Sequence, residues 1–161
     1  TYRTAHLIRQ GVDPFRILLL TFTNKAAGEM RQRIEKVVGN DARAIWMGTF
    51  HSVFAKILRF EAGHLGFTSN FSIYDTDDSK SLIRSIVKER GLDDKIYKPG
   101  VVFNRISGAK NRLISADEYL NNPIIQADDA AARLPEVGRL FKIYVDRCFK
   151  ANAMDFDDLL F

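Results

Sequence analysis

Apolar and polar positions alternate along the first third of the chain in a repeated order. Residues 1–10 place Tyr2, Ala5, Leu7 and Ile8 near a 3.6-residue period and meet Gly11, which predicts the tail of a helix. Asp13-Pro14 predicts a turn. Ile17 to Leu20 is a continuous apolar run with an aromatic beyond it, the pattern of a strand buried on both faces. Thr23 and Asn24 are capping residue types, and a helix follows over 25–38. Ala26, Met30, Ile34 and Val37/Val38 form its inward face, and Glu29, Arg31, Arg33, Glu35 and Lys36 its outer one. The plan then recurs. Ala44 to Met47 predicts a second short strand, Gly48-Thr49-Phe50-His51-Ser52 a polar tip with an aromatic, and 52–65 a helix.

In open α/β sheets ligands sit at the carboxyl ends of the strands, and helix N-termini favour anions. Each tip therefore offers hydroxyls and a ring where a phosphate-bearing ligand can bind. On adjacent parallel strands the two tips would lie side by side. Ordinary strand-to-helix turns with routine caps would use the same residues.

Beyond Gly66 the pattern changes. Residues 70–75 predict an extended connector, 79–90 a helix begun by Thr76-Asp77-Asp78, and 99–112 another helix. Ser115 to Glu118 has the form of a capping box. Residues 128–152 predict a helix kinked or broken at Pro135, and Asp155 to Leu160 the start of one more. No alternating strand is expected between 67 and 152, so an α/β beginning is followed by an all-α part.

Composition narrows the classes. Of 161 residues, 46% are hydrophobic and 27% charged, the profile of an ordinary folded domain. No apolar run nears the roughly 20 residues a membrane span needs, and no signal-peptide pattern is present. A cytoplasmic setting without membrane partners is expected. Cys148 is the single cysteine, which excludes an internal disulfide and a cysteine metal cluster; it is read as a core residue. The net charge of +4 is uneven: residues 1–66 carry 10 Lys and Arg against 5 Asp and Glu, and residues 80–112 carry 9 against 3. Such zones permit a polyanionic partner. The chain opens inside a helix and closes on Leu159-Leu160-Phe161, from which it is expected to be a piece of a larger protein.

Catalytic motifs are missing. None of the ten glycines is followed by Lys, so no phosphate-binding loop of the Gly-Lys-Ser/Thr kind exists. No apolar strand ends in Asp-Glu to hold magnesium. The three histidines, His6, His51 and His64, lack ligand spacing. Asp155, Asp157 and Asp158 are read as helix caps rather than metal ligands. No catalytic, cofactor-binding or metal-binding residue is assigned.

A family resemblance rests on ordered motifs. Leu20-Thr21-Phe22-Thr23-Asn24-Lys25-Ala26-Ala27-Gly28-Glu29-Met30-Arg31 resembles motif Ia of the UvrD/Rep/PcrA-type superfamily 1 DNA helicases. Gly48 to Ser52, with Ala55 to Arg59, resembles motif Ib. Phe71 to Asp78, Ile106 to Asn111 and Met154 to Leu160 are similar to later landmarks of the same family. The resemblance implies an α/β fold: a partial RecA-like parallel sheet of subdomain 1A with an all-α 1B insert. It divides the chain into 1–69 (partial 1A, motifs Ia and Ib), 70–152 (1B) and 153–161 (return to 1A).

It implies a fragment between the Walker A and Walker B motifs of an ATP-dependent 3′–5′ DNA helicase of the repair type. The parent would use ATP and Mg2+, and this chain would bind neither. Its partners would be single-stranded DNA, a duplex junction through 1B, and the remaining helicase subdomains. The ring of Phe22 would stack on bases. Thr23, Asn24, Thr49, Phe50, His51, Ser52 and Arg59 would contact DNA, and Lys110 and Asn111 would reach it from the insert. Helix capping, core packing or a solvated face are the plain readings of the same residues. Two rival functions share the fold: a non-catalytic protein-interaction module using the 80–112 surface, and a fragment of a related helicase–nuclease.

Overall fold

The computed structural model describes all 161 residues, which separate into two compact units, Thr1–Phe60 and Glu61–Phe161. The fold mixes helices with two short parallel sheets.

In the first unit, α1 (Tyr2–Arg9) leads through a short 3-10 turn at Pro14–Arg16 into β1 (Leu18–Thr21). α2 (Asn24–Val38) follows, then a 3-10 segment, Gly39–Ala44, then β2 (Trp46–Thr49) and α3 (Phe50–Glu61). Thr23 caps α2 by accepting the Ala26 N–H at 3.1 Å. β1 and β2 pair in parallel, with Leu18 opposite Trp46 and Thr21 opposite Thr49. Parallel pairing requires a crossover, and α2 supplies it. A small core of Ile17, Ile34, Ala42, Ile45 and Met47 joins the elements.

Two expectations change here. β1 is not buried on both faces: Leu18 is 48% exposed and Leu19 and Leu20 only partly covered. The apolar run recorded a strand that is left uncovered on one side in this chain. The inward face of α2 is as expected, with Met30, Ile34 and Val38 on the core and Val37 at its edge. The helix expected over 52–65 starts earlier and tightens into a 3-10 turn at Ala62–Leu65, which ends at Gly66 with φ +78.

The second unit begins with that turn and continues into β3 (Ser72–Tyr74), a strand the pattern had placed only as a connector. It pairs in parallel with β4 (Ala153–Asp155), about 80 residues later, with Ser72 opposite Ala153. A three-residue strand is too short to show alternation, and its partner is remote. Between them lie α4 (Thr76–Glu89), α5 (Pro99–Lys110), α6 (Ala116–Asn121), α7 (Pro123–Ala131) and α8 (Val137–Lys150). Asp75 with Asp78, and Ser115 with Glu118, form complete capping boxes. The helix expected over 128–152 is two helices, separated where Arg133 takes φ +60 and Pro135 follows. The helix expected after Asp155 is a series of turns. The core is aromatic and aliphatic, with Tyr119, Phe141, Tyr144, Val102, Ile106 and Leu140 fully buried. Cys148 lies in it as expected, and burial pushes its thiol up to about 12.

Candidate nucleic-acid interface

The register of the first sheet decides the geometry of the tips. Because Thr21 faces Thr49, the next residues of the two strands, Phe22 and Phe50, leave the sheet together. Their rings lie 5.2 Å apart between centroids with planes inclined by 35°. Phe22 is 87% exposed, and Phe50 is half-buried behind it. An apolar ring left in water at a strand end contributes nothing to the core, so the pair is a surface available to a planar partner.

The polar groups around the rings divide into two kinds. Thr23 and Asn24 are exposed at the start of α2. Thr23 spends an oxygen lone pair on its cap, and its O–H remains a donor. Thr49 and Ser52 hold the second tip instead. Thr49 is buried; its hydroxyl donates to Ser52 Oγ at 3.0 Å and accepts the Ser52 N–H at 3.2 Å. Ser52 Oγ donates to the Thr49 carbonyl at 2.9 Å. Both hydroxyl hydrogens are spent within the turn, which gives the two residues a role in positioning the tip, and Ser52 remains exposed there. His51 is exposed on the first turn of α3. Arg59 is exposed nine positions beyond Phe50, roughly 13 Å further along the helix.

Gly48 sets the closeness of this turn. A Cβ there would fall 2.5 Å from Ser52 Oγ and 3.0 Å from Val53 Cγ2. Only a residue without a side chain lets α3 start this near β2. The Arg31 guanidinium donates to the Met47 carbonyl at 3.1 Å and ties α2 to the same strand.

Lys110 and Asn111 belong to the second unit, and Lys110 is a correction. Its side chain is 3% exposed, with the ammonium 2.7 Å from Asp155 Oδ2 and 2.7 Å from Asp158 Oδ1. A buried, doubly paired lysine cannot meet a phosphate. Burial opposes its charged form, but the two carboxylates outweigh that and raise it above the usual range. Burial likewise works against ionised Asp155, and Lys110 reverses it, holding that carboxyl low. For Asp158 burial prevails and pushes the carboxyl up. The two aspartates also exchange backbone bonds, Asp158 N–H to Asp155 Oδ1 at 2.8 Å and Asp155 N–H to Asp158 Oδ2 at 3.0 Å. They close a turn instead of capping a helix. Asn111 is exposed, and its amide donates to the Ser107 carbonyl at 2.8 Å and to Asp157 Oδ1 at 3.2 Å.

The sequence of the UvrD/REP helicase N-terminal domain family matches residues 1–161. ATP-dependent DNA helicase UvrD1 of Mycobacterium tuberculosis (strain ATCC 25618 / H37Rv) is 44% identical over 162 residues, covering 99% of this chain and 21% of that protein. The protein of the same name in Mycobacterium leprae (strain TN) is 45% identical, covering 98% of this chain and 20% of its own length. ATP-dependent DNA helicase PcrA of Staphylococcus aureus (strain NCTC 8325 / PS 47) is 37% identical, over 99% of this chain and 21% of that protein. The chain thus spans about a fifth of the length of these relatives.

Proposed function

The chain belongs to the UvrD/REP helicase N-terminal domain family, and on that premise we propose that it is the single-strand-gripping portion of an ATP-dependent DNA helicase. Its own part is contact, without a catalytic group. The observation that carries the reading is the exposed Phe22–Phe50 pair at the carboxyl ends of two paired parallel strands. Every base has a π-face, so an exposed ring grips a single strand without reading its sequence. Asn24 and the Thr23 hydroxyl, at the N-terminus of α2, suit the adjacent phosphates.

In family terms the reading assigns 1–69 to a partial RecA-like subdomain 1A, 70–152 to the 1B insert and 153–161 to the return into 1A. The pairing of β3 with β4 supports an insert, because it holds its entry and exit at one place. The whole protein would couple ATP and Mg2+ to movement along DNA in the 3′–5′ sense. The residues present do not fit ATP and Mg2+. No glycine precedes a lysine, and the buried and half-buried carboxylates are committed: Asp155 and the half-buried Asp158 to Lys110, and Asp129 to Arg105 and Tyr119. No group of three or more acidic, histidine or cysteine side chains is arranged to hold a metal ion.

The test is Phe22→Ala with a fluorescently labelled oligothymidylate, read by anisotropy. Stacking is worth about 1–3 kcal/mol per base, so binding should weaken by roughly five-fold to a hundred-fold. The side chain is exposed, so folding is spared. Wild-type affinity in this variant would overturn the stacking role.

A further inference from the structure

A cleft of about 330 Å³ opens beside β2 in the first unit, away from the ring pair. Arg43 and Ala44 line it before the strand, Trp46 along it, and Ser52 and Lys56 after it, with Arg31 entering from α2. We propose that this cleft is a second nucleic-acid contact, which holds the phosphodiester backbone of the strand that stacks on Phe22 and Phe50. The proposal rests on the reading of the ring pair as a nucleic-acid contact.

Four observations carry it. Three of the ten lining residues are cationic and none is acidic, so the cleft concentrates one sign of charge. Arg31 is fixed there by its bond to the Met47 carbonyl, which leaves the rest of its guanidinium fork to a ligand. Lys56 holds its ammonium 5.0 Å from the centroid of the half-buried Trp46 ring. The ammonium covers one face of the indole, which holds the cation in place as a donor for phosphate and makes Trp46 a reporter of its surroundings. Finally, Ser52 lines the cleft and also bonds Thr49 at the end of the strand, so cleft and ring pair are built on the same two elements, β2 and the start of α3. The unit as a whole carries 10 Lys and Arg against 4 Asp and Glu. A regular spacing of single negative charges, with planar groups between them, describes a nucleic-acid strand better than an acidic peptide.

The experiment uses the full 161-residue chain and labelled oligothymidylate at salt concentrations from low to moderate. The slope of log affinity against log salt is compared for wild type, Arg43→Gln/Lys56→Gln, Arg43→Lys/Lys56→Arg and Phe22→Ala. Each phosphate contact in a single strand contributes about 0.7 to the slope, so losing two contacts should reduce it by about 1.4. Trp46 is the only tryptophan, and its fluorescence should respond to the oligonucleotide in wild type, in Phe22→Ala and in the Lys/Arg exchange variant. The response should vanish in the double Gln variant. Both substituted side chains are exposed, and the charge-preserving exchange controls for folding.

An unchanged slope and an unchanged Trp46 response in the double Gln variant would overturn the cleft while leaving the ring pair standing. Wild-type binding by Phe22→Ala, with a reduced slope in the double Gln variant, would overturn the ring pair, and with it the claim that the cleft holds a strand stacked there, leaving only a phosphate contact at the cleft. Oligoglutamate that produces the same Trp46 response, lost in the same variant, would overturn the cleft in favour of an acidic peptide. No binding of oligothymidylate by the wild-type chain would overturn both.

Discussion

Replacing Lys110 by methionine is the sharpest perturbation of the second unit. The substitution keeps the length of the stem and deletes the ammonium. Asp155 and Asp158 are then left facing each other, with Asp155 fully buried and Asp158 partly so. Removing one member of a buried ion pair costs about 3–5 kcal/mol, against about 0–1 kcal/mol for an exposed pair. Two features soften the loss. The Tyr144 hydroxyl still donates to Asp155 Oδ2 at 2.8 Å. Asp158 is already inclined to take up a proton, because burial raises its carboxyl. The expected cost is therefore near the lower bound, about 3 kcal/mol. With a urea dependence of about 2 kcal/mol per molar, the midpoint should fall by roughly 1.5 M. Far-UV circular dichroism is the suitable probe, since Trp46 belongs to the first unit and would not report the second. A fall of less than about 0.5 M, or 1 kcal/mol, would refute the assignment of Lys110 as the counter-ion.

The pH dependence gives that prediction a sign. Asp155 is held below its ordinary value near 3.8 in the folded state. Its contribution to wild-type stability is present above that value and is lost as pH falls through the folded one. In Lys110→Met the two carboxylates no longer share a cation, so one of them binds a proton more readily when folded, and acid favours the variant. The deficit should shrink between pH 7 and about pH 4. In alkali the wild type carries the opposite limb. Lys110 is raised above 10.5, so its stabilisation persists below that value and is lost as pH rises through the folded one. The variant lacks this limb. Lys110→Met/Asp155→Asn should recover part of the lost midpoint, and no recovery would again count against the pairing.

Two further outcomes follow from packing. Gly48→Ala should cost about 1–3 kcal/mol, because its methyl forces Ser52 Oγ and Val53 aside and breaks the Thr49–Ser52 bonds. A thermal melt followed by Trp46 fluorescence checks this, and an unchanged midpoint would show that the turn adapts freely. Cys148 should react with a thiol reagent at pH 8 only as the second unit unfolds, because burial pushes its thiol up to about 12 and seals it in the core. Rapid labelling of the native chain would contradict that burial.

The parts of the fold that were legible in the sequence are those set by neighbours in the chain. Thr23 and Ser115 announce helix starts through bonds spanning three residues, and the structure makes both; the acids of Thr76 to Asp78 mark a third start, whose cap is the preceding Asp75. The repeated order of strand, tip and helix likewise placed Phe22 and Phe50 at equivalent positions, and parallel pairing in register then brings the rings together. The parts that were not legible depend on distant partners. β3 has three residues and becomes a strand only because β4 lies beside it. The turns after Asp155 look like a helix start in the sequence, since acidic residues cluster there. The structure instead gives two of those acids to Lys110, from α5.

Lys110 and Phe22 show why charge and aromaticity differ as evidence for a nucleic-acid surface. A lysine in a basic stretch carries the same formal charge whether it faces water or a buried carboxylate, so net charge counts both alike. The stretch 80–112 is strongly basic by count, yet Lys110 is neutralised by acids beyond the stretch, and Arg105 is held by Asp129. Its capacity to attract a polyanion is smaller than the count implies. A large ring after an apolar strand has the opposite logic. Burial is its default, so finding Phe22 in solvent requires an explanation outside the core. In the first unit the cations around Trp46 meet no acid in their cleft, and there the positive charge remains available to a ligand. Lys110 and Arg105 thus drop out of the basic stretch as groups free to meet a polyanion, whereas Arg31, Arg43 and Lys56 share a cleft without an acid.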